Sequence, residues 1–300
     1  MTNVADPLIS WEEIQDIELV VLGRMKEFAM GVHPSVFQGT GFDLVGLREF
    51  QPGDRPAMVD WAQSTLTNFS PLFTREFEQE STASAILIAD TSLSTRCGER
   101  GTPIAKVIAR TVAILGLAAA FFQDLVGLVT LDGDSREVVV RPGVGRNHAM
   151  HCVEAYQTKV LGRTRTRHKG TREPLIGLLR KRSVVPVVSD FLSDDSQTLI
   201  NELAEINSQH DLFIVMIDSA FAFALPQISD GWVEGYDIET GRSGLLCANE
   251  IRDLGDRVRE SQDATERAAR DAGIDVVRID AGEEHAVLAA FLRSRRRRKR

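Results

Sequence analysis

Three hundred residues with 43% hydrophobic and 26% charged side chains can bury one large core, or a domain plus an appendage. The formal net charge of −8 hides an asymmetry: Arg293 to Arg300 hold seven basic groups and no acid, and the remainder carries 28 basic against 43 acidic residues. A body that acidic repels nucleic acid and anionic membrane surfaces, so neither is expected as a partner.

Cys97, Cys152 and Cys247 are odd in number and widely spaced, which gives no disulfide framework and fits a reducing cytosol. Residues 1–7 have no basic and apolar leader pattern. The longest apolar region, 104–122, carries Lys106 and Arg110, so it reads as a packed helix and no transmembrane segment is expected. A soluble, cytoplasmic protein is the expectation.

In chain order, Ser10 followed by Trp11-Glu-Glu13 opens a helix over 9–31, with Ile14, Ile17, Val20, Val21 and Met25 as its apolar face. Residues 38–80 read as a small α+β appendage: a turn at Gln38-Gly-Thr-Gly41, an extended run Phe42 to Phe50, a turn at Gln51-Pro-Gly-Asp54, a short helix near Trp61 and a strand near Leu72 to Phe77. Arg48, Glu49, Asp54 and Asp60 are expected to make ion pairs or turn hydrogen bonds there.

From residue 84 strands and helices alternate, which predicts an α/β domain with a doubly wound, mostly parallel sheet. Ser84 to Asp90 is a buried strand, and Thr102-Pro103 is placed to cap the apolar helix Ile104 to Leu125. Val126 to Leu131 and Glu137 to Arg141 form a hairpin with one antiparallel edge strand. Helices at 148–159 and 173–181 precede the strand 184–190, where Pro186 is awkward for a central position. A helix carrying Leu199, Ile200, Leu203 and Ile206 leads to the strand 212–217. A hairpin insertion at 220–248, a charged helix 249–272, the strand 274–279, a last helix 283–292 and a disordered basic tail 293–300 complete the chain. The division expected is 1–80 for the N-terminal helix and appendage, 81–292 for the sheet domain and 293–300 for the tail.

Two buried strands end in acids, Asp90 and Asp190. If they are neighbours their ends lie about 4.8 Å apart, and two carboxylates so placed repel unless a cation lies between them. Ser92 and Ser94 follow Asp90 at alternate positions, and Thr171, after Gly170 at a predicted helix start, offers a third hydroxyl, with Thr164 and Thr166 in the same loop as alternatives. An all-oxygen set of two carboxylates, hydroxyls and water suits a hard cation, Mg²⁺ or Mn²⁺. Helix capping needs only one such residue and leaves the other hydroxyl and Asp190 unexplained.

Asp90-Thr-Ser92-Leu-Ser94, a Gly-Thr before a helix and an Asp ending the next central strand resemble the metal-ion-dependent adhesion site of von Willebrand factor A domains. Gly39 to Trp61, with Arg48, Glu49, Pro52, Gly53, Asp54, Asp60 and Trp61, is similar to the signature of domain of unknown function 58, which lies upstream of an A-type domain in that family. Ala57 and Met58 stand where the family usually has arginine. The resemblance implies a von Willebrand factor A-like, Rossmann-type fold, a metal at Asp90, Ser92, Ser94, Thr171 and Asp190, and an adaptor that partners a MoxR-type AAA+ ATPase in protein remodelling or maturation.

Other readings attach to the same residues. Asp90 as a nucleophile would make a Mg²⁺-dependent hydrolase or phosphatase, but Ser92 stands where haloacid-dehalogenase-like phosphatases want an acid. The basic run Arg163, Arg165, Arg167, Lys169 and Arg172 is either a solvated loop or a collar that steers an acidic partner to the metal. His148, His151 and Cys152 have helical spacing and, without a second pair, read as a helix face. No phosphate-binding glycine loop is present, so the chain is not expected to hydrolyse ATP itself.

Overall fold

The structure, a computed structural model, describes residues 7–30, 42–51, 59–79, 84–99, 102–132, 135–162, 179, 182–192, 196–223, 232–236 and 243–298. Helix α1 (Trp11–Met30) is followed by strand β1 (Phe42–Glu49), the short helix α2 (Trp61–Leu66) and strand β2 (Phe73–Gln79), with β1 and β2 paired antiparallel. The main part runs β3 (Ser84–Asp90), the two-residue strands β4 (Gly98–Glu99) and β5 (Thr102–Pro103), α3 (Ile104–Phe121), β6 (Leu125–Asp132), β7 (Ser135–Val144) and α4 (Arg146–Leu161). It continues with β8 (Val184–Ser189), α5 (Ser196–Gln209), β9 (Asp211–Ile217), the hairpin β10 (Trp232–Tyr236) and β11 (Ser243–Cys247), α6 (Ala248–Asp271), β12 (Asp275–Ile279) and α7 (Glu284–Arg298).

Six strands form the central sheet in the order β12-β9-β8-β3-β6-β7, all parallel except the edge strand β7. The expected α/β architecture is therefore present, with helices on both faces. Alternation along β3 divides the core: Ala85, Leu87 and Ala89 pack with α1, α3, α4 and α7, whereas Ile86 and Ile88 pack with α5 and α6. The chain winds over one face from β3 to β7 and over the other from β8 to β12. Its direction reverses between β3 and β8, the topological switch point where open α/β sheets bind ligands.

Helix α3 is apolar and long enough to cross a membrane by composition, but 83% of it is buried under the sheet and neighbouring helices. Its two charges face α1, where Lys106 and Arg110 meet Glu13 at 3.4 and 2.5 Å. Ile9, Ile14 and Val21 of the N-terminal segment are buried in the same core, and the Ile9 N–H donates to Gln157 Oε1 of α4 at 3.0 Å.

Several expectations are corrected. Thr102 does not cap α3: Thr102 and Pro103 pair with Gly98–Glu99, and Pro103 itself is the extended N-cap without a side-chain bond. Helix α3 stops at Phe121 and not at Leu125, because Gln123 adopts φ 61° and Leu125 begins the strand that pairs with Ser84. Val20 is 46% exposed and not part of the apolar face of α1. Pro186 does occupy a central strand. Its ladder to β9 is continuous, and the ladder to β3 is broken between the pairs Ala85↔Val184 and Ile88↔Val187, as the missing donor requires. The helix expected at 173–181 lies almost entirely outside the described residues, as do the turns at 38–41 and 52–54.

The basic tail is also not disordered as far as Arg298, because α7 continues through it. Arg295 is 7% exposed at the amino end of the sheet. Its guanidinium donates to Asp211 at 2.6 Å, Asp275 at 2.7 Å and the Leu212 carbonyl at 2.9 Å, and lies 4.7 Å over the Phe213 ring. One side chain thus ties the last helix to β9 and β12. Replacing Arg295 with Met keeps the stem and removes every donor. Breaking a buried ion pair costs about 3–5 kcal/mol, and because both aspartates keep some solvent contact we expect Arg295→Met to destabilise by about 2–3 kcal/mol in urea unfolding.

Cys152 in α4 is fully buried, and burial pushes its thiol up to about 12. His148 lies 3.0 Å from the Arg141 carbonyl and meets His151 edge-on at 6.4 Å. The three residues therefore sit on a helix face, with the cysteine turned into the core. Thiolate is the reactive form, so native protein at pH 8 is expected to label at the half-exposed Cys97 and Cys247 while Cys152 reacts only on unfolding, as mass spectrometry of thiol adducts will show.

Candidate functional site

Asp90 is the last residue of β3 and Asp190 follows the last residue of β8. The register Ala89↔Val188 sets Asp90 beside Ser189, with Asp190 one residue further on, so the two acids share one rim of the switch point. Both are buried, at 8% and 1% exposure.

The Asp90 carboxylate accepts from the Ser92 N–H at 2.7 Å and from the Ser189 hydroxyl at 2.6 Å. Neither donor is charged. Burial pushes the Asp90 carboxyl above the ordinary aspartate range, with these hydrogen bonds opposing the shift and nearby Asp132 adding to it. Asp190 Oδ1 accepts from the Leu192 N–H at 3.2 Å. Ser92 and Ser94 are half-buried and their hydroxyl oxygens lie 2.9 Å apart.

The loop bearing the serines is held from several directions. Thr91 donates twice to the Leu131 carbonyl, from its N–H at 2.8 Å and its hydroxyl at 2.9 Å. The buried Thr95 hydroxyl donates to the Ser92 carbonyl at 2.7 Å, and Arg96 reaches the Val160 carbonyl of α4 at 2.5 Å. Gly98 has no substitute, since a Cβ there would stand 2.2 Å from the Thr102 carbonyl oxygen. Beyond Asp190, Phe191 takes φ 54°, a left-handed conformation rare for a bulky residue. Its buried ring and the bond from its N–H to Ser189 Oγ at 2.9 Å hold it there, and such strain is characteristic of functional sites.

Sequence reasoning missed three residues. Ser189 supplies the donor to Asp90. Tyr156 of α4 is fully buried and donates to the Asp90 carbonyl at 2.9 Å. Gln262 of α6 donates to the Asp190 carbonyl at 2.8 Å. Only Ser189, adjacent to Asp190, carried a signal in the chain itself; the other two lie 66 and 72 residues from the groups they hold.

Of the other expected site residues, Thr171 and the run Arg163, Arg165, Arg167 and Lys169 lie outside the described residues, as do Pro52, Gly53 and Asp54. Asp60 caps α2 by accepting from the Gln63 N–H at 3.1 Å, while Glu49 and Trp61 are exposed, Trp61 at 58%. The backbone of Arg48 pairs with Thr74 in the β1–β2 ladder.

Among the described residues no group of three or more His, Cys, Asp or Glu side chains could hold a metal. The donor set at the switch point is instead two carboxylates with serine hydroxyls. These are hard oxygen ligands, and a buried carboxylate held only by neutral donors favours a cation beside it, so the residues present fit Mg²⁺ or Mn²⁺.

No curated protein matches this chain. Among solved structures it is similar to BatB from Bacteroides thetaiotaomicron, at 10% identity over 71% of this chain and 98% of that one, with a TM-score of 0.40. An aerotolerance-related membrane protein from Bacteroides fragilis, solved with multiple mutations to serines, gives 10% identity over 70% and 99% with a TM-score of 0.41. The SpRpn10 VWA domain gives 10% over 71% and 95% with a TM-score of 0.32. The cytoplasmic location expected from the sequence is not upheld; the second of these structures is described as that of a membrane protein. Cysteine spacing and an acidic average report on disulfides and bulk charge, not on where a protein resides. The signature of the family described as protein of unknown function DUF58 matches residues 46–271, three-quarters of the sequence and the whole of the β3–β8 switch point, and the chain belongs to that family.

Proposed function

We propose that this chain is a protein-binding adaptor whose docking point is a divalent cation at the switch point. The observation that supports it is the meeting of Asp90 and Asp190 at adjacent strand ends with the paired hydroxyls of Ser92 and Ser94 beside them. Asp90, Ser92, Ser94 and Asp190 would hold Mg²⁺ or Mn²⁺, with Thr171 the proposed further hydroxyl. When bound, the ion would supply a Lewis-acid position that an acidic side chain of a partner can fill. The chain's own residues do the positioning. The Ser92 N–H and the Ser189 hydroxyl orient the Asp90 carboxylate, and the pinned 91–97 loop keeps both serines at the rim. The partner proposed is a MoxR-type AAA+ ATPase, for which this chain would act as the non-ATPase half in remodelling other proteins. The basic run 163–169 is the proposed guide for its acidic surface.

Metal binding is tested by unfolding with Mg²⁺ or Mn²⁺ against a chelator. A ligand at 100 times its Kd stabilises by about 2.7 kcal/mol, so wild type is expected to melt several degrees higher with metal, and Ser92→Ala/Ser94→Ala to show no metal-dependent shift. An unchanged wild-type melting temperature at millimolar metal would reject the metal reading.

Docking is tested by capture of a purified MoxR-type ATPase on immobilised protein. Retention that requires both metal and the serines is the expected result. Turnover of a phosphate ester by wild type, lost in Asp90→Asn, would replace the adaptor reading with a hydrolase.

A further inference from the structure

Each helical layer sends one fully buried polar side chain to the rim of the sheet, and each grips the main chain of a different aspartate. From the layer containing α3 and α4, the Tyr156 hydroxyl donates to the Asp90 carbonyl at 2.9 Å. From the layer containing α5 and α6, Gln262 Nε2 donates to the Asp190 carbonyl and the Ile217 carbonyl, both at 2.8 Å, and lies 3.1 Å from Ser219 Oγ. Both side chains are at 0% exposure.

The chemistry fixes the orientation of the glutamine. Two carbonyls can only accept, so the end facing them must be the NH₂, and the Oε1 left over accepts from the Ser219 N–H at 3.3 Å. One amide therefore uses both of its donor hydrogens and its acceptor on the ends of β8 and β9. An apolar residue of the same length would fill the space as well, but would leave the Asp190 and Ile217 carbonyls without this donor. Burying a polar side chain in mid-helix costs stability unless it is bonded, and here its bonds converge on the backbone of one proposed ligand. Tyr156 repeats the pattern at the other.

We propose that Tyr156 and Gln262 are positioning residues that fix the separation of Asp90 and Asp190 from opposite faces of the sheet, so that a divalent cation meets carboxylates already in place. This rests on the metal reading above. Neither residue touches the ion. Each acts through the main chain of a residue that would, as outer partners of metal ligands do.

The test measures Mn²⁺ affinity by the electron paramagnetic resonance signal of free Mn²⁺, alongside Tm in chelator. The proteins compared are full-length wild type, Gln262→Met, Tyr156→Phe and Leu203→Ala. Leu203 is fully buried in the same layer as Gln262 and belongs to no bond at the rim, so Leu203→Ala reports what loss of packing alone does. The expected result is a Kd raised about 10-fold or more in Gln262→Met and in Tyr156→Phe, with Leu203→Ala within twofold of wild type although its Tm falls. Tyr156→Phe removes a single oxygen atom and keeps the test open should Gln262→Met fail to fold. Affinities of both variants within twofold of wild type would overturn the positioning role and leave the metal site standing. A wild type that retains no Mn²⁺ would overturn both.

Discussion

A parallel sheet cannot leave either face in water, and the rest of this structure follows from how that constraint is met. Parallel strands need crossovers, and the crossovers must be shared between the two faces. Here the first half of the domain covers one face with α3 and α4, and the second half covers the other with α5 and α6. From β3 the chain runs outward to β6 and β7 and then returns to the other side of β3 as β8, so its direction reverses between β3 and β8. The crevice at their carboxyl ends is a consequence of winding, and whatever side chains end those two strands are brought together there.

What ends them is a pair of aspartates. At the opposite end of the same sheet the half-buried Asp211 and Asp275 are answered by the guanidinium of Arg295. At the switch point the Asp90 carboxylate is met instead by a backbone N–H and a serine hydroxyl. Neutral donors orient a carboxylate but do not neutralise it, and burial accordingly drives its carboxyl upward. The two ends of the sheet thus show two solutions to acid burial. One is a structural ion pair, and the other holds an acid, whose ionisation burial opposes, at a rim framed by hydroxyls.

The last helix changes how the basic C-terminus is understood. Its seven basic residues read as a charge run with no apolar periodicity, and such runs are ordinarily solvated. Arg295 escapes that rule because its planar fork can serve two carboxylates and a carbonyl at once while its face stacks on Phe213. Nothing in the local sequence distinguishes Arg295 from Arg296 or Arg297. Only the position of α7 against the amino ends of β9 and β12 selects it.

The sequence alone determined the strands of the sheet, its edge hairpin, most of the helices and the two aspartates with their serines, because these depend on local signals: apolar runs of strand length, helical periodicity and a loop of alternate hydroxyls. It placed the start of α3 at Ile104 but misassigned its cap and its end, where a two-residue pairing takes up Thr102 and Pro103 and a left-handed glutamine stops the helix early. Tertiary structure decided the rest. Strand order brought Asp90 beside Ser189, and packing aimed Tyr156 and Gln262 at backbone carbonyls far away in the chain. A buried tyrosine or glutamine in a helix looks like any other until its partner is known, since the energy of a hydrogen bond depends on where the acceptor lies in space and not on its distance along the sequence.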